Sequence, residues 1–560
     1  MDNKEIAAHF SLLSKLMELH GENSFRAKTY SVAAYRIGKL PVELSSLSAS
    51  QAAQLEGIGD TIAAKIKELL STGNIKMLED LIKKTPEGIF EMLKIKGIGP
   101  KKIGLIWKQM NIENIGELLY ACNENRLLLY KGFGKKTQDN VIESIEFYLS
   151  QQGSYLYAQV HLLAEQLTTL LKKLFTGARV QLTGDMVRHA ETIELIEYII
   201  DQPLNTIAAV LGPIDEFSFS DEDESSLTYQ YNNGIKIKLH AVKKDEWTQK
   251  LFATTGSVEF ITAFHQHFPG VDFTAAKNED DLFKQAGLPF IPPFLRENES
   301  ILSHAKGDNL SVVIEPTDIK GIIHSHSNWS DGIDTLEKLS QACKKSGKEY
   351  LVISDHSKSA FYAHGLDESQ IRAQHEQIDE LNEKLKPFKI FKSIESDILN
   401  DGSLDYSNDV LATFDLVIAS VHSNLKMSEE KATARLLRAI ENPYTTILGH
   451  MTGRLLLSRR GFPVDHIKII DACAANNVVI EINAHPRRLD MRWQWLEYAL
   501  SKNVLVSIDP DAHSIAEFEN TRYGVLVAQK GMVTKENNLS SFSLPALEKF
   551  LKDRKKLKGI

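Results

Sequence analysis

The stretch that decides the fold is His324-Ser-His326-Ser-Asn-Trp-Ser-Asp331-Gly332. It follows Gly321-Ile-Ile, an apolar run of the kind that makes a buried strand. Two histidines one residue apart, with a carboxylate close behind, are donor types that suit a divalent metal. A lone histidine on a loop is more often solvated or capping. The stretch therefore gains meaning only from what surrounds it.

The C-terminal half supplies those surroundings. Candidate strands at 321–324, 349–354, 390–394, 415–420, 445–448, 477–482 and 504–508 alternate with helical stretches such as DTLEKLSQACKKSG and DESQIRAQHEQIDELNEKL. Seven βα repeats predict a barrel of parallel strands. Successive strands are followed by His324, His326 and Asp331, by Asp355 and His356, by Glu395 and Asp397, by His422, by His450, by Asn483 and His485, and by Asp509, Asp511 and His513. Donors gathered at the C-terminal strand ends stand where barrel active sites sit. Nitrogen and oxygen donors in this number suit zinc, manganese or iron.

The first third carries a different signal. Leu55-Glu-Gly57-Ile-Gly59, Ile95-Lys-Gly97-Ile-Gly99-Pro-Lys101-Lys102 and Tyr130-Lys-Gly132-Phe-Gly134-Lys135-Lys136 share one form, and each runs into a helical pattern. Two glycines allow a tight hairpin whose amides point outward at a helix N-terminus, a phosphate seat that ignores base sequence. The lysines add charge beside it. The three segments resemble helix-hairpin-helix motifs, which grip DNA backbone. Gly57, Gly59, Gly97, Gly99, Lys101, Lys102, Gly132, Gly134 and Lys135 are the candidate DNA contacts.

Bulk properties bound the rest. A chain of 560 residues suggests three or four domains, and 43% apolar with 25% charged residues is an ordinary globular balance. The net charge of −9 gives no bulk attraction to nucleic acid, so DNA binding has to be local. Three scattered cysteines without a CxxC pair read as free thiols in a reducing cytoplasm. The polar, acidic start does not read as a secretory signal, and no apolar run approaches a membrane span. A cytoplasmic, monomeric protein is expected.

The order of the N-terminal motifs resembles the family X DNA polymerases, which continue into a nucleotidyltransferase palm. That family's pattern is Gly-Ser, Arg-Arg, Glu-Thr, then Asp-x-Asp on one strand and a third Asp on a later one. Gly184, Arg188, Glu191 and Thr192 fit it. The metal positions fall on Leu195 and Glu197, and Lys238 stands at the third carboxylate. Shifted carboxylates do not rescue the site. Glu194 and Glu197 face opposite sides of a strand, and Glu197 and Asp201 would sit about 13 Å apart. Two-metal transfer needs ions roughly 3.5–4 Å apart. Leu195, Glu197 and Lys238 are therefore read as degenerate polymerase positions in a palm that is kept but catalytically dead. Thr255-Gly256-Ser257 and Gly287-Leu-Pro-Phe-Ile-Pro-Pro-Phe-Leu-Arg296 resemble the family's thumb. Lys65 matches a lysine that some relatives use on abasic sugar, and is read here as a solvated helix lysine.

HSHSNWSDG, ISDHS, IESDI, ASVHS, LGHMTGR and DPDAHS resemble the signature of the polymerase and histidinol phosphatase (PHP) family, over about 318–560. The resemblance implies a distorted seven-stranded βα barrel holding two or three divalent ions (Zn2+, Mn2+ or Fe2+). It implies as ligands His324, His326, Asp331, His356, Glu395, His422, His450, Asp511 and His513, with Glu395 bridging. Ile322 stands where many members have Asp, and His485 where relatives often have Asn. Ile322 would weaken support for a first-strand histidine. Bacterial family X polymerases carry this domain at their C-terminus, so the two resemblances support each other.

The expected fold is multidomain. Helix-hairpin-helix domains occupy 1–80 and 81–150, the second fingers-like with two motifs. An α+β nucleotidyltransferase-like palm and thumb follows at 151–312, and a (β/α)7 barrel at 315–560. The expected function is metal-dependent phosphoester hydrolysis at a DNA end, by resemblance a 3′→5′ exonuclease in repair. Arg454, with Arg487 and Arg488 on neighbouring loops, would hold phosphates. An active polymerase with an associated nuclease, a small-molecule phosphatase and a non-catalytic scaffold are the alternatives.

Overall fold

The first helix shows how the N-terminal part is built. In α1 (Asn3–His20) Ile6, Phe10, Leu13 and Met17 recur at helical spacing and are buried. Asp2 caps its start in a reciprocal capping box with Glu5, and Gly21 ends it in the left-handed conformation. Its apolar stripe packs with α2 (Ser24–Ile37) and with Ile62, Ile66 and Leu69 of α3 (Asp60–Thr72) in one core.

The computed structural model describes residues 1–560 except 96, 151–152, 233, 308–309 and 311. The expected start of the palm at 151 lies outside the described residues. The chain forms two compact units, Met1–Tyr148 and Leu149–Ile560. The first is helical throughout and includes α4 (Pro100–Met110); α5 (Lys135–Ser150) begins in it. No helix among the described residues is long and apolar enough to cross a membrane. Cys122, Cys343 and Cys473 are free and buried.

The second unit opens with a five-stranded sheet. Its strands are β1 (Val180–Thr183), β2 (Leu195–Ile200), β3 (Phe217–Asp223), β4 (Ser226–Tyr231) and β5 (Lys236–Ala241), in the spatial order β1-β2-β5-β4-β3. β2 and β5 are parallel, with Leu195 opposite Lys236 and Glu197 opposite Lys238. A phenylalanine-rich helical cluster around Phe252, Phe260, Phe264 and Phe283 follows. There the two thumb-like motifs meet: Ser257 N donates to Arg296 O at 2.8 Å, and Arg296 Nη1 to Thr255 Oγ1 at 2.6 Å.

Seven parallel strands make the barrel: β6 (Gly321–Ser325), β7 (Tyr350–Ile353), β8 (Lys389–Asp397), β9 (Leu416–Ser420), β10 (Thr445–Leu448), β11 (Val479–Asn483) and β12 (Val506–Asp509). They lie in sequence order. Almost every strand residue is buried, as parallel strands covered by helices require. The barrel nearly closes where β6 meets the residues after β12: His326 N donates to Ala512 O at 2.8 Å, and Ala512 N to His324 O at 3.2 Å. Leu547 and Leu551 of the last helix, Leu544–Lys558, join Ile323, Val352, Ile418, Ile447 and Val479 in the inner core. The third strand is longer than the sequence suggests. Its ladder with β9 runs on through Glu395 opposite Ile418 to Asp397 opposite Ser420, so both carboxylates stand on the strand and not after it.

Candidate metal centre

The strand ends converge on Glu395. It is buried, and its two oxygens face two sets of imidazoles. Oε1 lies 3.3 Å from His324 Nε2, 3.2 Å from His422 Nε2 and 3.0 Å from His450 Nε2. Oε2 lies 2.9 Å from His356 Nδ1 and 3.7 Å from His326 Nε2. Asp331 sits 3.5 Å from His356 Nε2 and 3.4 Å from His513 Nε2. Asp511 sits 3.2 Å from His326 Nε2 and 3.4 Å from His324 Nε2. All nine side chains singled out at the strand ends thus meet in one buried cluster.

Eight of the nine, all but His450, fall into three overlapping groups, each with its donor atoms within 4.8 Å of one another: His326, Asp331, His356 and His513; His324, His326 and Asp511; His356, Glu395 and His422. Among the described residues, no other group of three or more such side chains meets this limit. The orphaned atoms supply a fit test for a cation. His324 Nε2, Asp331 Oδ2, Glu395 Oε2 and both ring nitrogens of His356 are buried without an aligned hydrogen-bond partner, although oppositely charged atoms lie close. Buried polar atoms are normally satisfied. Donors that crowd together but aim past one another suit ions placed between them, and the set is chemically right for zinc, manganese or iron.

Charge in the cluster is finely balanced. Burial pushes the Glu395 carboxyl up, but His422, His324 and His356 outweigh it and hold the group well below the usual carboxylate range. Burial lowers His422, while Glu395 and Asp397 together raise it to about 9. His326 is driven down to about 3 by burial and by the neighbouring His513 and His356. Two of the residues also sit in the left-handed backbone region, His324 at φ 60° and Asp511 at φ 52°, on either side of the closing seam. Such strain persists only where the surroundings over-determine it.

A layer behind the donors orients them. Glu481, fully buried in β11, places Oε1 2.5 Å from His324 Nδ1 and accepts the His450 backbone N–H on Oε2 at 2.6 Å. Asp397 lies 2.5 Å from His422 Nδ1. Asp355 accepts from Ser327 N at 2.8 Å and Ser327 Oγ at 2.7 Å, bracing the first loop. The sequence reading missed Glu481. Its only signal is an acidic residue inside an apolar strand, which has to be buried with partners. The weakness expected from Ile322 does not arise at His324. Ile322 packs in an apolar cluster with Leu336 and Leu351, and Glu481 supports His324 instead.

Arg454 requires a correction. It is buried, its Nη2 lies 2.6 Å from Glu191 Oε1 and its Nη1 3.1 Å from Glu191 Oε2, and Nε donates to Arg488 O at 2.8 Å. A guanidinium held this way is structural and does not offer a free fork to a phosphate. Arg487 and Arg488 are buried too, and Arg488 Nε lies 3.7 Å from Asp511 Oδ2.

In the five-stranded sheet, Leu195 and Glu197 point to one side, and Lys238 stands beside Glu197 on the neighbouring strand. Lys238 Nζ pairs with Asp223 at 2.9 Å, and Glu197 with His240 Nε2 at 2.8 Å. A Cβ on Gly184 would collide with Glu197 Oε1 at 2.2 Å. Asp201 pairs with Arg179.

In the helical unit, Gly57, Gly97 and Gly132 have φ of 85°, 93° and 99°, which other residues adopt at a cost. Gly59 and Gly99 cap α3 and α4, and Gly134 O accepts from Thr137 N and Gln138 N at the start of α5. Lys101 and Lys135 are exposed, and Lys102 lies over the Phe133 ring at 5.2 Å. Lys65 pairs with Glu68 at 2.7 Å.

Comparison with known proteins covers the whole length. Residues 1–75 match the model of the helix-hairpin-helix domain, and residues 89–146 that of the SAM-like helix-hairpin-helix tandem. A Bacillus subtilis protein named DNA polymerase/3′-5′ exonuclease PolX is 31% identical over 99% of this chain and 100% of its own length. A probable phosphatase of Thermoanaerobacter sp. is 25% identical over 42% of this chain and 96% of its own length. A probable phosphatase of Caldanaerobacter subterraneus is 33% identical over 18% of this chain and 39% of its own length.

Proposed function

The chain belongs to the bacterial family X DNA polymerases with a C-terminal PHP domain, and on that premise we propose that it is a metal-dependent 3′→5′ DNA exonuclease of DNA repair that has lost polymerase chemistry. One observation carries the reading. Glu395 stands between five histidines with one oxygen towards each of two donor sets, so it would hold divalent ions together with both sets. His324, His326, Asp331, His356, Glu395, His422, His450, Asp511 and His513 would hold two or three ions. Zn2+, Mn2+ or Fe2+ bound there would supply Lewis acidity towards water and phosphoryl oxygens.

The protein's own groups set up that chemistry. Glu481 and Asp397 hold His324 and His422 with Nε2 turned to the centre, so the rings need no reorientation once they give up their protons. Burial of the cluster excludes bulk water and strengthens its electrostatics. The glycine hairpins would hold DNA by its backbone, without sequence preference and as a monomer in the cytoplasm. Leu195 and Lys238 support the loss of polymerase chemistry, since neither can ligate a divalent ion and Lys238 brings a cation to the site.

The barrel's likeness to probable phosphatases favours one second reading, a small-molecule phosphatase. A 5′-labelled gapped duplex with Mn2+, with and without dNTPs, beside a small phosphomonoester, separates the readings. Shortening of the strand, no extension by dNTPs and weak phosphomonoester turnover are expected. Extension would restore the polymerase, and strong phosphomonoester turnover without action on DNA would favour the phosphatase.

A further inference from the structure

Glu191 fits the family's palm pattern but serves the barrel. Its carboxylate takes both ends of the Arg454 guanidinium, 263 residues away. Arg454 in turn holds the loop after β11 by two carbonyls, Arg488 O at 2.8 Å and Leu489 O. Leu489 sits at φ 44°, a backbone region in which leucine persists only when held. The same loop is tied down at its base by Asn483 N donating to Asp490 O and, through Leu456 N donating to Arg487 O, to the loop after β10. It presents Arg488 to Asp511, one of the nine clustered donors. A continuous chain of contacts thus runs from a palm residue to the rim of the metal cluster.

We propose that Glu191 is a positioning residue of the nuclease site, fixing through Arg454 the loop 485–490 that carries Arg487 and Arg488. Loss of the carboxylate leaves a buried guanidinium uncompensated beside two carbonyls. The guanidinium then moves towards water and releases Leu489 and Arg488. A second contact between palm and barrel gives the control. Lys530 donates to Arg188 O at 2.6 Å and pairs with Glu297, and it has no hydrogen bond or ion pair to the loop, although the Glu191 charge reaches it. A palm that is dead as a polymerase would on this view be retained because the nuclease is assembled against it.

The proposal rests on the nuclease reading above, and the experiment separates the two. In the full-length protein, Glu191→Gln, Glu191→Asp and Lys530→Ala are compared for thermal stability, for Mn2+-dependent shortening of a 5′-labelled DNA strand, and for hydrogen exchange at the amides of Arg488 and Leu489. Glu191→Gln is expected to lower kcat about tenfold and to speed exchange at both amides, with Glu191→Asp in between. Lys530→Ala is expected to lower the melting temperature while kcat stays within twofold and the exchange is unchanged. The inference is overturned if Glu191→Gln keeps wild-type exchange and kcat, or if Lys530→Ala lowers kcat as much. If Glu191→Gln does not fold, Glu191→Asp decides on the same readouts. A wild-type protein that fails to shorten DNA would sink the nuclease reading, while the exchange still reports on the loop.

Discussion

Glu481 and His324, on different strands of the barrel, meet with Oε1 2.5 Å from Nδ1, and this pairing turns the other ring nitrogen towards Glu395 and Asp511. The other Glu481 oxygen holds the backbone of His450. One buried carboxylate therefore orients donors from two strands. Glu481→Gln keeps the shape and removes the charge. Loss of an orienting partner of this type costs about 10- to 100-fold in metal affinity. Titration of the metal-free variant with Mn2+ or Zn2+, followed by calorimetry, should show that loss with circular dichroism unchanged. Unchanged affinity would remove Glu481 from the account.

Metal loading should release protons. Burial lowers His422, and Glu395 and Asp397 outweigh it to raise the ring from its ordinary 6.5 to about 9. In the metal-free protein the charged ring is thus stabilising. That contribution is fully present below about 6.5 and is lost as the pH rises through about 9. An ion takes the neutral ring, so at pH 7.5 binding has to expel the proton, and affinity rises with pH. Calorimetry in buffers of different ionisation enthalpy should show net proton release, and identical heats in all buffers would refute this.

The five-stranded sheet is expected to tolerate changes that an active polymerase site would not. Lys238 and Asp223 form a partly exposed pair, which is worth at most about 1 kcal/mol. Lys238→Ala should therefore leave exonuclease activity within about twofold and stability nearly unchanged. A tenfold loss of DNA shortening in this variant would show that the sheet face takes part in the chemistry.

Residue type and position made the donors legible. The strand-end histidines and carboxylates stand out because polar groups directly after apolar strands have few bland uses when they recur. The glycine hairpins were legible because two glycines at fixed spacing before a helix demand a particular backbone, which Gly57, Gly97 and Gly132 adopt. Glu481 was hidden because its chemistry lies in contacts across strands, which alternation along one strand does not reveal. Arg454 misled for the opposite reason: its loop lies beside the site, but its partner Glu191 comes 263 residues earlier, and nothing local announces a contact over that distance. The end of β8 was misplaced because Glu395 and Asp397 look like loop residues until their pairing with β9 is known.

The most direct measurement is the rate at which full-length protein with Mn2+ shortens a 5′-labelled DNA strand, compared with His324→Ala and His422→Ala and with the wild type after chelation. The account predicts stepwise shortening from the 3′ end by the wild type, a loss of at least about 100-fold in both variants, and no activity after chelation until metal is restored. Shortening that persists in either variant at the wild-type rate would contradict it.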